Sequence, residues 1–200
     1  MSTIFTVGHS NHDPAHFLSL LSAHGVSAIA DVRSSPYSKY VPQFSKENLQ
    51  NMLREAGVGY AFMGREFGAR REEESCYVDD QARYDRIAQL PIFRAGLERV
   101  LTESADHRIA LMCSEADPLT CHRTILVCRE LLRHSPGMGI THILPDADTE
   151  SHDGAMQRLV ALHKLEPELF GDLSTQEGLV EHAQDLQADR IAYTRATAEP

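Results

Sequence analysis

The chain has 200 residues, of which 42% are hydrophobic and 24% are charged. These values are ordinary for a globular protein and exclude a disordered or fibrous chain. The formal net charge of −10, with eleven histidines taken as neutral, disfavours broad attraction to nucleic-acid phosphates but leaves room for a local anion site.

No stretch approaches the roughly 18 consecutive apolar residues that a membrane span requires. The opening segment MSTIFTVGHS has no basic stretch followed by an apolar targeting run, so we expect a cytoplasmic protein that does not enter a membrane. Four cysteines occur without any CxxC pair, which indicates free thiols rather than a disulfide framework.

The first half of the chain predicts alternating strands and helices. Runs rich in β-branched and aromatic residues predict three strands, at 4–7, 26–32 and 58–62. Apolar residues at helical spacing predict two helices between them, at 14–24 and 45–56. Asp13 and Pro14 supply a cap and a first-turn proline for the first helix, which Gly25 ends. The polar stretch 64–86 predicts no clear element and is interpreted as a lid or a connecting loop.

The second half continues the alternation. Pro91 begins a helix with an apolar stripe, and Asp117 with Pro118 predicts the start of another helix that runs to about His134. Two strands are predicted, at 109–113 and, as the last strand, at 140–144. From Asp153 onward the pattern is helical, with a break at Pro167.

Strands that alternate with helices of this length favour right-handed crossovers and a mostly parallel sheet covered on both faces. The expected fold is therefore α/β, a doubly wound, Rossmann-like three-layer sandwich. We expect a single α/β domain over 1–200, with a core at 1–150 and a helical extension at 151–200 that packs on it.

Polar segments follow three of the predicted strands, at the point where each strand ends. They are Gly8-His9-Ser10, Asp31-Val32-Arg33 and the stretch from Cys113 to Arg123. Ligands of open parallel sheets gather beyond the carboxyl ends of the strands, so these segments predict one pocket. The side chains expected to converge in one cleft are His9, Asp31, Arg33, Glu115, Cys121, His122 and Arg123.

The cysteines of the third segment are candidates for nucleophilic catalysis. A helix start favours a thiolate or a bound anion, so either Cys121 or Cys113 could be activated there. Cys121 also shares an apolar stripe with Ile125 and Cys128, and Cys113 ends a buried strand, so two structural thiols are the alternative. Cys128, in the middle of the predicted helix, is interpreted as a core residue.

His9 and His122 are candidates for proton transfer, although histidines often serve as structural hydrogen-bonding groups. Arg33 and Arg123 are candidate anion clamps, and Arg123 could instead pair with a carboxylate such as Glu115 or Asp31. The full set of candidate ligand-binding residues is Ser10, Asp31, Arg33, Glu115, Asp117 and Arg123. A separate arginine group is either a solvated loop or a local anion site: Arg65, Arg70 and Arg71.

No metal ion and no cofactor is expected from the spacing of the residues. The cysteines and histidines lack the C-x2-C and H-x3-H spacings typical of zinc sites, which predicts no stoichiometric zinc. The glycines form neither a GxGxxG nor a Walker pattern, so a conventional dinucleotide or nucleoside triphosphate site is not indicated.

Four motifs in order resemble the domain of unknown function 488 family. They are Val7-Gly8-His9-Ser10, the stretch from Asp31 to Ser38, Phe67-Gly68-Ala69-Arg70, and the stretch from Met112 to Arg123. The tail is similar to longer members of the family near 165–167 and 187–193. The resemblance implies a Rossmann-like fold with a pocket at the Cys-His-Arg and Asp-Val-Arg segments, and it implies no particular activity.

The first hypothesis for function is an enzyme that binds a small anionic or nucleotide-like substrate and acts as a cysteine- or histidine-dependent hydrolase or transferase. In this hypothesis Cys121 or Cys113 performs the covalent step with His9 and His122. The alternatives are a non-catalytic ligand sensor or adaptor that uses the same pocket, and a protein whose acidic helical tail contacts a partner. The sequence leaves the oligomeric state open.

Overall fold

The computed structural model describes residues 3–195, in which six strands form one sheet with helices on both faces. The strands are β1 Thr3–Gly8, β2 Ala28–Asp31, β3 Gly59–Phe62, β4 Tyr77–Val78, β5 Gln81–Ala82, β6 Ile109–Cys113, β7 Gly139–Ile143 and β8 Thr149–Ser151. The sheet order is β3-β2-β6-β1-β7-β8, with parallel pairing except between β7 and β8. The predicted α/β fold with a mostly parallel sheet is confirmed.

The helices follow the predicted alternation. They are α1 Pro14–Ala23, α2 Lys46–Glu55, α3 Gly64–Phe67, α4 Tyr84–Ala88, α5 Pro91–Glu103, α6 Arg129–His134, α7 His152–Leu162 and α8 Gln176–Ile191. Asp13 caps α1 by accepting the His16 N–H at 2.9 Å, and Gly25 follows the helix with a φ of +62°. The predicted helical C-terminal part is also confirmed, as α7 and α8.

Two predicted elements need correction. The strand at 140–144 is not the last, because the short polar strand β8 adds an antiparallel edge that has too few apolar residues to be recognised. The helix predicted from Asp117 to about His134 is interrupted. The Asp117 carboxylate accepts the Leu119 N–H and caps only a 3-10 turn, Pro118–Thr120. Cys121 is then extended, and a π-helical segment, Arg123–Cys128, leads into α6.

The stretch 64–86, which predicted no clear element, contains α3, a 3-10 turn, the small β4–β5 hairpin and the start of α4. The elements that lie entirely within this stretch are two to four residues long. Elements of this length are too short to show a periodic pattern of apolar residues. The stretch is therefore a compact connection and carries part of the surface near the sheet rim.

Successive side chains of a strand point to opposite faces, and this divides the core into two clusters. On one face, strand residues such as Val7 and Met112 pack with α1 and α2. On the other face, residues such as Leu111 and Cys113 pack with α5, α6, α7 and α8. The tail thus contributes to a core cluster through Ala183, and the single-domain organisation stays a prediction. No helix within residues 3–195 is long and apolar enough to cross a membrane.

Candidate functional site

The three polar segments leave the sheet side by side, because β2, β6 and β1 are neighbours. Gly8 is in register with Cys113, and the His9 N–H donates to the Cys113 carbonyl at 2.9 Å. A Cβ on Gly8 would lie 2.0 Å from the carbonyl oxygen of Glu115, so only glycine allows the loop after β6 to approach this closely. The predicted rim of strand ends is therefore present.

The candidate side chains on this rim form two groups on opposite faces of the sheet. Asp31 is in register with Met112 and points to the α1/α2 face, where His9 stacks on Phe44 with ring centroids 4.6 Å apart. Cys113 and the start of the π-helical segment lie on the other face. The convergence of both groups in one cleft therefore stays a prediction.

The first group, here called the Asp31 cluster, consists of Asp31, Arg33, His9 and Tyr60. Asp31 and Arg33 form a bidentate ion pair, with Nε to Oδ1 at 2.9 Å and Nη2 to Oδ2 at 2.6 Å. The Tyr60 hydroxyl donates to Asp31 Oδ2 at 2.9 Å. Arg33 Nη1 donates to the Phe44 carbonyl at 2.9 Å and to His9 Nε2 at 3.1 Å. The cluster satisfies its own charges.

His9 is neutral in this arrangement. Its Nδ1–H donates to the Ser10 carbonyl at 2.8 Å, which leaves Nε2 to accept from Arg33. Burial, together with the positive charge of Arg33, lowers the pKa of His9 to about 4. Arg33 itself is 4% exposed, so the guanidinium faces internal partners in this structure rather than solvent.

The second group, here called the thiol cluster, consists of Cys113, Cys121 and His122. The His122 Nε2–H donates to the Val32 carbonyl at 3.0 Å, and this bond turns Nδ1 toward both sulfurs. The distance from Nδ1 to Sγ is 3.8 Å for Cys113 and 4.0 Å for Cys121. Both cysteines are nearly inaccessible, at 3% and 1% exposure, whereas His122 is half-buried.

The sulfur of Cys121 lies at the start of the π-helical segment, in the position of an N-terminal helix cap. It accepts the Arg123 N–H at 3.4 Å, and the Cys121 carbonyl accepts the N–H groups of Thr124 and Ile125, each at 3.1 Å. A helix start carries partial positive charge, which favours a negative group at this position. The arrangement therefore suits a thiolate on Cys121.

The two thiols differ in acidity because of their neighbours. Burial would raise the pKa of Cys121, but a hydrogen bond with Cys113 and the charges of Arg123 and His122 outweigh it and hold the pKa well below the ordinary value. The hydrogen bond to Cys121 and burial raise the pKa of Cys113 well above its ordinary value. Although burial alone would lower it, contact with the Cys121 sulfur raises the pKa of His122. Cys121 is thus the more acidic of the two thiols.

Glu115 lies at the edge of the thiol cluster and reaches solvent. Partial burial and the nearby charge of Cys121 raise the pKa of its carboxyl. Glu115 is thus the predicted site residue that joins the cluster to the surface.

Arg123 supports this segment from the inside. Its side chain is 0% exposed, and it donates from Nη1 to the Glu115 carbonyl at 2.6 Å and from Nη2 to the Ala116 carbonyl at 3.2 Å. Its partners are backbone carbonyls and not the carboxylates of Glu115 or Asp31. Its Nε is buried without a partner in the described residues. Arg123 therefore ties the loop after β6 to the π-helical segment.

The side chains of two other predicted residues form their hydrogen bonds outside both clusters. The Asp117 carboxylate accepts from Arg158 of α7 at 2.9 and 3.0 Å, on the surface. Ser10 has a φ of 45° and donates from its hydroxyl to Asn11 at 3.3 Å. Cys128 is fully buried in the core cluster, and its predicted core position is confirmed.

A cleft of about 890 Å³ opens beside the ends of β2 and β3. Its cationic lining, here called the basic cleft, consists of Lys46, Arg65, Arg70 and Arg71. Two glycines bring this loop onto the segment after β2, since a Cβ on Gly64 would lie 2.1 Å from the Arg33 carbonyl oxygen and a Cβ on Gly68 2.8 Å from Ser34 Oγ. Within residues 3–195, only Arg71 of the four forms a salt bridge, with Glu73.

Sequence reasoning missed Tyr60, which donates a hydrogen bond to Asp31, and also Tyr84. Tyr84 is buried at the start of α4, where burial and the charges of Cys121, Cys113 and Glu115 raise the pKa of its hydroxyl. It lies in the stretch that predicted no element, far along the chain from the motifs, so no local signal could have indicated it.

The thiol cluster is the group in residues 3–195 that could hold a metal ion. The Sγ atoms of Cys113 and Cys121 and a ring nitrogen of His122 all lie within 4.8 Å of one another. Thiolate and imidazole are ligands that soft and borderline metal ions prefer.

Comparison with known proteins supports a family assignment but no activity. A search of curated proteins and a search of solved structures both returned no match. Residues 13–129, more than half of the chain, match the family described as domain of unknown function DUF488, and this range includes the Asp31 cluster apart from His9 and the whole thiol cluster. The chain therefore belongs to the DUF488 family.

Proposed function

We propose that this protein is a thiol-dependent enzyme in which Cys121 is the nucleophile. The observation that carries the proposal is the position of the Cys121 sulfur, which accepts an N–H at a helix start and faces the His122 ring. Such surroundings favour the thiolate, which is the nucleophilic form of cysteine. The reaction class that fits is hydrolysis or group transfer through a covalent intermediate on sulfur.

The neighbouring groups have distinct roles in this proposal. His122, held by the Val32 carbonyl, exchanges a proton with the reacting group, and Cys113 stabilises the Cys121 thiolate by donating a hydrogen bond. Glu115 lies where the cluster meets solvent and is suited to contact the substrate. The Asp31 cluster, including His9, positions the rim.

The anionic part of the substrate binds in the basic cleft in this proposal. Arg33 and Arg123 were the candidate clamps, but their guanidinium groups contact internal partners. Lys46, Arg65 and Arg70 form no salt bridge within the described residues. A phosphate or carboxylate group suits such a cluster. We further propose that the substrate is a small cytoplasmic molecule and not a nucleic acid, since the net charge is −10.

Alkylation of the native protein tests the nucleophile. Reduced, chelator-treated protein is treated with iodoacetamide between pH 6 and pH 8, and the modified cysteines are mapped by mass spectrometry. Since the pKa of Cys121 is held below its ordinary value, its alkylation rate should fall less over this range than that of free glutathione, which should fall by about 100-fold from pH 8 to pH 6. Cys128, whose pKa is raised by burial, is the internal control and should stay unmodified.

The proposal is wrong if Cys121 reacts no faster than a free thiol at neutral pH. Cys121→Ser should abolish the rapid phase, and His122→Ala should slow it, because His122 favours the thiolate. A rapid phase that persists in Cys121→Ser would assign the reactivity to another cysteine.

Binding of inorganic pyrophosphate tests the basic cleft. Arg65→Ala and Arg70→Ala should each weaken binding, measured by calorimetry, while leaving thermal stability nearly unchanged because both side chains are exposed. Arg54→Ala, an exposed arginine on α2, is the matched control. Equal effects of all three substitutions would indicate nonspecific charge attraction and contradict the assignment.

The second candidate function is a non-catalytic ligand sensor or adaptor that uses the same rim. The burial of both sulfurs favours it, because a substrate must displace covering groups to reach atoms that are 1% and 3% exposed. Pyrophosphate binding at the basic cleft without any rapid alkylation of Cys121 would select this function.

A further inference from the structure

We infer that the thiol cluster is a zinc site in which Cys113 Sγ, Cys121 Sγ and His122 Nδ1 are the three protein ligands. This inference goes beyond the proposed function and does not rest on it. The expectation of no zinc came from spacing along the chain, and the fold brings together ligands that this spacing does not reveal.

The separations of the three donor atoms fit one small ion. Zinc binds sulfur at about 2.3 Å and nitrogen at about 2.0 Å in tetrahedral sites, so a sulfur and a nitrogen on one ion lie roughly 3.5 Å apart. The observed sulfur-to-nitrogen distances of 3.8 and 4.0 Å exceed this value by only a few tenths of an ångström. All three donor atoms lie within 4.8 Å of one another. Small side-chain shifts would therefore complete the coordination.

The orientation of the histidine is a separate observation that points to a metal ion. Metal-binding histidines commonly donate their second ring N–H to a carbonyl or carboxylate, which fixes the ring and its tautomer. The His122 Nε2–H donates to the Val32 carbonyl at 3.0 Å, and the opposite nitrogen faces both sulfurs. This is the arrangement expected of a ligand held ready for a cation.

The ligands are also carried by well-defined backbone. Cys113 is the last residue of the buried strand β6, and Cys121 and His122 lead into the π-helical segment. Arg123 fixes the loop between them by donating to two of its carbonyls. Preorganised ligands lower the entropic cost of binding an ion.

Three protein ligands leave a fourth position open, as in catalytic rather than structural zinc sites. Glu115 is an exposed carboxylate beside both thiols, and it is suited either to occupy this position or to contact a bound water molecule. Zinc would engage the Cys121 sulfur directly, so the thiolate nucleophile of the proposed function acts only in the metal-free form.

Metal analysis and cobalt substitution test the inference on the full chain. Protein purified under reducing conditions without chelator should contain close to one zinc ion per chain by mass spectrometry. Chelator-treated protein titrated with Co²⁺ should show a sulfur-to-cobalt charge-transfer band and the intense visible bands of tetrahedral coordination, saturating at one equivalent. Competition with a zinc-binding dye should then show zinc affinity reduced by at least about 100-fold in Cys113→Ser and in His122→Ala. Loss of a residue that only supports a metal ligand lowers the affinity by about 10- to 100-fold.

Cys128→Ser is the matched control, because Cys128 is a fully buried cysteine at the end of the π-helical segment and lies outside the cluster. It should keep the cobalt spectrum. His122 is half-buried, so His122→Ala gives a test even where a cysteine variant fails to fold. Substoichiometric zinc together with the absence of a charge-transfer band in wild-type protein would overturn the inference, as would equal loss in Cys128→Ser.

The same preparations separate this inference from the proposed function. Zinc should protect Cys121 from iodoacetamide, and removal of zinc should restore its reactivity. If the protein binds zinc but Cys121 of the metal-free protein does not react with iodoacetamide, the zinc site is supported and the nucleophile is rejected. Rapid alkylation of a protein that binds no metal would do the reverse.

Discussion

Arg123 provides the sharpest test of how the rim is built, because it is a completely buried arginine whose charge meets backbone carbonyls. Arg123→Ala removes two charge-assisted hydrogen bonds, each worth about 1.5–3 kcal/mol. It also removes buried methylene groups worth about 0.8 kcal/mol each. The substitution also removes the desolvation cost of burying the guanidinium charge, which offsets part of this loss. We therefore expect the free energy of unfolding to fall by about 3–5 kcal/mol.

Arg123→Lys separates a structural role from ligand binding. A lysine keeps the charge but lacks the planar fork that reaches the Glu115 and Ala116 carbonyls together, so it should cost about 2 kcal/mol. Urea unfolding measures the free energy of unfolding of both variants. In thermal unfolding, the alanine variant of a chain of this size should melt about 10 °C lower than the wild type. Arg133→Ala, at a 48% exposed arginine of α6, is the control and should cost less than about 1 kcal/mol.

One result would refute this reasoning. If both Arg123 variants unfold within about 1 kcal/mol of the wild type, the buried guanidinium does not hold the loop. If, in addition, the variants lose stabilisation by pyrophosphate, Arg123 acts as a ligand clamp in a conformation different from this one.

Three further predictions concern the strand ends. Gly8→Ala should destabilise the protein in urea unfolding, because the new Cβ would lie 2.0 Å from the Glu115 carbonyl oxygen; wild-type stability would show that the loop moves freely. Asp31→Asn should lower the free energy of unfolding by about 3–5 kcal/mol, since it leaves the buried charge of Arg33 without its counter-ion, and a loss below about 1 kcal/mol would contradict this. The pKa of His9 is lowered to about 4, so the unfolded chain takes up the proton first and His9 reduces stability as pH falls from about 6.5 to about 4. His9→Gln should make this pH dependence shallower in urea unfolding, and an unchanged slope would show that His9 does not contribute.

Much of the fold could be predicted because its signals are local. The cap at Asp13 and the apolar run that ends at Cys113 depend on residues within a few positions of each other. The strand ends at Gly8 and Asp31 were likewise readable, and parallel pairing then places them together. By contrast, β8 has three residues and no apolar alternation, so its edge position depends on pairing with a distant strand.

The division of the candidate site between the two faces of the sheet could not be predicted. It depends on which of two successive strand residues points to which face. Asp31 and the neighbouring Val32 point to opposite faces, and an error of one residue exchanges them. The internal pairing of Arg33 was also hidden, since a guanidinium two residues from a carboxylate can equally face a ligand. The contact between Cys113 and His122 spans nine residues and depends on a turn that is not a regular helix.

The π-helical segment Arg123–Cys128 accommodates one more residue per turn than the α-helix that follows it. Deleting one of these residues would let the segment close as a regular α-helix with little rotation of the residues before it, because the wider turn already takes up the extra residue. A second deletion, from a segment that is then fully α-helical, would rotate Cys121 and His122 by about 100° away from Cys113 and Val32. A Cβ at Gly137 or Gly171 would meet no atom of the described residues within 4 Å, so the turns around these glycines have room to change in length. Evolutionary drift in chain length is therefore tolerated at those turns, whereas the number of residues between Cys121 and α6 is constrained.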